Sequence, residues 1–188
     1  MKTVTFATGN AGKLAEAQVL MPHVRLQSKR VDFDEPRSND LAVIAKEKLR
    51  QARSAIAGPC FVMDSGFYIE ALNGFPGSYV NFALETIGVE GILKLMQGRE
   101  NRKCAFRQCL AYFDGRMEHL FTSENPGTLS TESIGDDCAQ QWSGLWHIFI
   151  PEGGDKTLSA FTQEQLEARR RNGNGTLKQL AAFLKVEE

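Results

Sequence analysis

The chain has 188 residues, 42% of them hydrophobic, with 22 basic and 23 acidic side chains and a net charge of −1. That is enough for one full α/β domain, or one domain in two lobes, with a packed core. The balanced charge argues against a nucleic-acid binder, and no apolar run reaches membrane-spanning length.

Val4 to Ala7 is short, apolar and β-prone, and it breaks at Thr8-Gly9-Asn10. A helix is expected over 12–20, ended by Pro22, then a short strand over 24–26. Residues 32–40 form an acidic loop, and Asn39 or Asp40 is placed to cap a helix over 41–57 that Gly58-Pro59 stops. Cys60 to Met63 reads as a buried strand ending at Asp64-Ser65-Gly66, with a second extended piece over 67–72. Helix follows over 79–98 with a break near Gly88, then a long strand over 103–113. Asp114-Gly115 signals a hairpin whose returning strand covers 117–123. A further strand is expected over 127–133, a polar loop over 135–144 and a short strand over 148–150. Thr162 caps a helix over 163–171, and a last helix covers 176–185. Helices alternate with strands early and hairpins dominate late, which predicts an α/β fold with a mixed sheet, in two lobes and without an independent second domain. The four cysteines, at 60, 104, 109 and 138, form no CxxC pair and read as reduced thiols of a cytoplasmic protein.

Three segments carry chemistry. Thr8-Gly9-Asn10-Ala11-Gly12-Lys13 joins a strand to a helix, so helix-start N–H groups and the Lys13 ammonium can hold phosphate; the same glycines and asparagine also serve a plain turn. Asp64 at a strand end faces either a ligand crevice or its own turn. Asp32, Asp34 and Glu35 crowd one loop, where water solvates them or a cation neutralises them. On the next helix Lys46 is in reach of that crevice, whereas Lys48 reads as part of the solvated face. Together these parts suit a nucleotide polyphosphate, with hard oxygen ligands for magnesium and lysines for phosphate. The three histidines, at 23, 119 and 147, are scattered.

The chain resembles the inosine triphosphate pyrophosphatase family. The likeness rests on Thr8-Gly9-Asn10 with Lys13, on Asp64-Ser65-Gly66, and on Ala71-Leu72-Asn73-Gly74-Phe75-Pro76-Gly77. It continues through Thr86-Ile87-Gly88, Gly91-Ile92-Leu93, Glu100-Asn101-Arg102-Lys103, Ile148-Phe149-Ile150-Pro151-Glu152-Gly153 and Asp155-Lys156-Thr157, and so covers nearly the whole chain. The resemblance implies an elongated mixed sheet with flanking helices, two lobes around a central groove within one domain, and a homodimer. It implies magnesium-dependent hydrolysis of non-standard purine nucleoside triphosphates such as ITP, dITP or XTP to monophosphate and pyrophosphate, with manganese as an alternative ion. By position, Asp64 becomes general base and metal contact. Glu35 becomes a metal ligand with Asp34 as rival. Lys13 and Lys46 hold phosphates, and Thr8, Gly9, Asn10, Ser65 and Gly66 complete the phosphate cradle.

The resemblance is weaker at the base end. Met63 stands where relatives carry an acid, which removes a negative charge near the metal. Ser143-Gly144-Leu145-Trp146-His147 stands where relatives read the purine with Phe-Gly-aromatic-Asp, and Arg170-Arg171-Asn172 where they carry Ser-His-Arg. Two expectations follow. In one, the enzyme cleaves triphosphates with an altered base preference, Trp142 or Trp146 stacking on the base and Arg169 to Arg171 supplying donors. In the other, a catalytically weakened protein of the same fold binds nucleotides or partners.

Overall fold

The computed structural model describes residues 1–136, 141 and 143–186; Cys138, Trp142 and the Arg170 side chain lie outside the described residues. The chain divides into two compact units. The first comprises Met1–Ser65, Gln108–Ser123 and the C-terminal segment from Asn174; the second comprises Gly66–Arg107 and Glu124–Gly173.

The first unit starts with β1 (Thr3–Ala7), α1 (Ala11–Leu20) and β2 (Arg25–Lys29). β2 lies parallel to β1, from Thr3 opposite Arg25 to Ala7 opposite Lys29, as a β–α–β crossover requires. β3 (Cys60–Ile69) pairs with the other edge of β1, also parallel. Val4, Phe6, Phe61 and Met63 join Leu110 and Tyr112 in a core closed by α1 and α6 (Thr176–Val186), through Ala17, Leu177, Leu180, Ala181 and Leu184. α2 (Leu41–Ala55) buries Leu41, Ile44, Ala45, Lys48, Leu49 and Ala52. That is one continuous stripe at helical spacing, and a lysine occupies its middle.

In the second unit β4 (Pro76–Gly77) pairs antiparallel with the end of β3. Helices α3 (Val80–Thr86), α4 (Gly88–Leu95) and α5 (Gln163–Asn172) accompany β7 (Phe149–Pro151), which runs antiparallel to β6 (Glu118–Leu129). The core is aromatic: the Phe106 ring lies 4.6 Å from Phe67 and 4.8 Å from Phe149. β5 (Lys103–Phe113), β6 and β3 contribute residues to both units, and the sheet order is β2-β1-β3-β5-β6-β7. The expected mixed α/β sheet with flanking helices is observed.

Capping chemistry sets the helix starts. Asn10 accepts from the Lys13 N–H, Asp40 rather than Asn39 caps α2, and Thr162 and Gln165 form a reciprocal box at α5. Asp114 turns the β5–β6 hairpin by accepting from the N–H groups of Arg116 and Met117. Two strand expectations are corrected. Asp64-Ser65-Gly66 does not end a strand but lies inside the ten-residue β3. Gly66 is what lets the strand pass, since a Cβ there would stand 2.7 Å from the Gly77 carbonyl oxygen. The strand expected over 127–133 is instead the end of β6, which runs through Pro126.

Candidate functional site

The site belongs to the first unit and is built on β3, α2, the loop between β2 and α2, and the start of α1. Alternation along β3 turns Met63 into the core with α6, where the Thr176 hydroxyl donates to its sulfur at 3.4 Å, and turns Asp64 to the opposite face. The acid missing at position 63 is therefore missing from the other side of the strand. Ser65, half-buried, alternates away from Asp64 in the same way.

On the Asp64 face, the Lys48 ammonium donates to Asp64 Oδ1 at 3.0 Å and to Glu35 Oε1 at 2.8 Å. Lys48 and Asp64 have side chains only 11% and 14% exposed, against 54% for Glu35. The Phe33 ring lies 5.1 Å from the same ammonium. Burial opposes the Lys48 charge, but the two carboxylates outweigh it and raise its pKa above the ordinary lysine value. Lys13, at the start of α1, goes the other way. Burial pulls it down and the Lys48 charge adds to that, while Asp64 resists most strongly, so its pKa is lowered. Two ammonium groups and two carboxylates thus share one electrostatic neighbourhood. Cys109, fully buried on β5, feels Asp40 and Asp64 as well as Lys46; burial first and these carboxylates second push its thiol up to about 11, so it stays protonated and inert.

Glu35 is held in place by a side chain with no charge. Gln51 on α2 accepts from the Asp34 N–H at 2.9 Å and donates to the Asp34 carbonyl at 2.8 Å, tying the acidic loop to the helix. Between the two rival acids, the structure brings Glu35 to Asp64 through Lys48, and leaves the Asp34 side chain exposed. At the α1 turn, Asn10 spends its side-chain carbonyl on the Lys13 N–H at 3.0 Å, and its own N–H on the Thr8 hydroxyl at 3.1 Å. Gly9 is exposed beside the stem of Arg30.

The sequence expectation for Lys48 is corrected. Lys46 is exposed, and among the described residues no hydrogen bond or ion pair joins it to Glu35 or Asp64. Lys48, expected in solvent, is the one inside. The signal was present: 41, 44, 45, 48, 49 and 52 follow helical spacing, and 46 does not.

Asp64 and Glu35 offer hard carboxylate oxygens around a gap that an ammonium already fills, which fits a divalent oxygen-loving cation such as magnesium. Among the described residues no three His, Cys, Asp or Glu side chains gather as a metal cage, so further ligands would have to come from water and substrate.

The family model for the Ham1 family matches residues 4–180. The chain belongs to the Ham1 family. This upholds the family resemblance read from the sequence. Among curated relatives, a protein named dITP/XTP pyrophosphatase from Thermococcus kodakarensis is 36% identical over 184 residues, 97% of each chain. Another of that name from Methanopyrus kandleri is 41% identical over 165 residues, 86% of each. Among solved structures, the Staphylococcus aureus Ham1 protein superposes with a TM-score of 0.83 at 24% identity over the full length of both chains. The nucleoside-triphosphatase or dITP/XTP pyrophosphatase of Mycobacterium abscessus does so with a TM-score of 0.76 at 25% identity, covering 97% and 98%.

The Ham1-type residues expected to read the base lie in the second unit. Trp146 is 5% exposed and packs with Leu145, Phe149 and Leu166, so its ring is core rather than an open stacking face. Arg171 is exposed on α5, 3.8 Å from Glu167 one turn earlier. Burial lowers the pKa of its neighbour Arg169. Trp142 and the Arg170 side chain, the other candidates, are outside the described residues. A cavity of about 770 Å³ in this unit is lined by Tyr68, Lys103, Arg107, Glu124, Thr128 and Glu152 among others, and by none of the predicted site residues.

Proposed function

We propose that this protein is a magnesium-dependent nucleoside triphosphate pyrophosphatase acting on non-standard purine nucleotides of the dITP and XTP type. The observation that carries it is the Lys48 ammonium shared between Glu35 and Asp64, whose charges also act on Lys13 at the head of α1. Support for the substrate class comes from the relatives named dITP/XTP pyrophosphatase, matched over most of their length. The whole chain is taken as one functional domain, working as a cytoplasmic homodimer. Among the described residues no helix is long and apolar enough to cross a membrane.

Each residue has a task that its chemistry fits. Lys13 and Lys48 hold phosphate oxygens as point charges, and the α1 start adds backbone N–H groups beside Thr8, Gly9 and Asn10. Glu35 and Asp64 would hold the metal, which when bound offsets phosphate charge and polarises the phosphoryl oxygens. Asp64, the more buried carboxylate, accepts the proton of the attacking water at Oδ1 or Oδ2. Gln51 keeps Glu35 within reach by fixing its loop. Lys46 is given no task here, because it is exposed and pairs with neither Glu35 nor Asp64.

The test is pyrophosphate release from a panel of dITP, ITP, XTP, dUTP and the standard nucleotides with magnesium or manganese. The expected result is monophosphate and pyrophosphate in equal amounts, fastest with dITP, ITP and XTP. No release from any of them refutes the assignment.

A further inference from the structure

The gap between Glu35 and Asp64 is already occupied by a cation that the chain itself provides. Both carboxylates point an oxygen at one Lys48 Nζ, at 2.8 and 3.0 Å. Lys48 and Asp64 are largely closed to solvent, and Phe33 lies against the ammonium. A divalent ion held by the same two carboxylates would compete with that ammonium, since like charges drawn to one pair of acids repel strongly where water is scarce. The ammonium sits on a stem of four rotatable carbons, so its head can leave while α2 stays in place.

Resting on the metal-assisted function proposed above, we infer that Lys48 is a resident counter-ion, and that it and the divalent cation are alternative occupants of the Glu35–Asp64 gap. Lys48 then has two addresses: the carboxylates in the free protein, and the phosphate tail in the loaded one. Nucleotide supplies the anion that draws the ammonium away, so cation and nucleotide enter together. The free protein binds the cation weakly because two carboxylates must first lose the partner they have. Lys13 is in the same field and limits how far Lys48 can retreat without an anion, since the Lys48 charge already helps lower the Lys13 pKa.

The experiment is manganese binding to nucleotide-free protein, followed by loss of the free-ion electron paramagnetic resonance signal. It compares wild type, K48M, K48Q and K46M. The expected result is a Kd lower by roughly tenfold or more in K48M and K48Q, and a change below about twofold in K46M, which removes the same charge two residues away. In wild type, which needs no substitution to fold differently, saturating magnesium should move the 15N resonance of the Lys48 ammonium. Unchanged or weaker manganese affinity in both Lys48 variants, no binding to any of the four proteins, or a Lys48 resonance that magnesium leaves in place would each overturn the inference. Pyrophosphate release from dITP by wild type is scored separately. Release without tighter manganese binding removes the counter-ion role and keeps the hydrolase; tighter binding without release does the reverse.

Discussion

The two units bury different kinds of side chain at the places where chemistry was expected. In the first, a lysine sits inside the buried stripe of α2 and is made tolerable there by two carboxylates. In the second, the tryptophan that the sequence offered as a base-stacking surface is sealed among Phe149, Leu145 and Leu166. Burying a charge is costly unless it is paired, so a buried lysine paired with an acidic loop marks a place where function outweighs simple packing. Burying an indole ring removes a large apolar area from water, so a buried tryptophan marks packing. The phosphate end therefore announces itself in the structure, and the base end does not.

Several substitutions would break or sharpen that contrast. Asp64→Asn in the first unit should lower the rate of pyrophosphate release from dITP by roughly 10²–10⁴-fold, while nucleotide binding measured by calorimetry stays within a few-fold. A turnover near wild type would take Asp64 out of the base role. Phe149→Ala in the second unit should do the reverse kind of damage. Removing a fully buried ring from the Phe67–Phe106–Phe149 cluster should cost about 3–5 kcal/mol in urea unfolding. A loss below about 1 kcal/mol would mean that the cluster is not the core of its unit.

Gln51→Ala is a smaller perturbation and probes positioning alone. It removes two hydrogen bonds to the Asp34 backbone, so the loop carrying Glu35 loosens. The magnesium concentration for half-maximal activity should rise about three- to tenfold, with a stability loss of about 1 kcal/mol. A fall in maximal rate at saturating magnesium, with no change in the magnesium requirement, would contradict the positioning role.

The smallest effect is on acid stability. A hydrogen bond with His119, at 2.7 Å, helped by the N–H groups of Met117 and Arg116, holds Asp114 at a pKa of about 2, below its ordinary 3.8. A depressed carboxylate stabilises the fold fully above its unfolded pKa and less as the pH falls through its folded one. The loss should therefore run between about pH 4 and pH 2, and Asp114→Asn should flatten the fall of Tm over that window. An unchanged slope would show that the pair contributes nothing.

What the sequence made legible follows from how local each determinant is. The starts of α2 and α5 were readable because capping is settled within four residues, by Asp40 and Thr162. The β5–β6 hairpin was readable because Asp114-Gly115 is a turn on its own. Asp64-Ser65-Gly66 looked like a strand end because all three residues favour turns. Here the pairing of β3 with its neighbours overrides that preference, and Gly66 is needed for the close approach of Gly77. Lys13 and Asp64 stood out by residue type and order, whereas Glu35 was set apart from its acidic loop, with Asp34 as rival, only by the family resemblance. Lys48 is legible only in part: its place in the apolar stripe of α2 marks it as buried, but the carboxylates that pair it come from two distant segments. Gln51 gave no signal at all, since its role exists only once the acidic loop lies across α2.

The contrast between Lys46 and Lys48 tests the account most directly. With magnesium and dITP, K48M should lose pyrophosphate release by about 10²-fold or more, the scale for removing one fixed charge-stabilising donor, while K46M keeps it within about twofold. Release that survives in K48M and collapses in K46M would place the phosphate-holding lysine on the solvent side of α2 and contradict the site described.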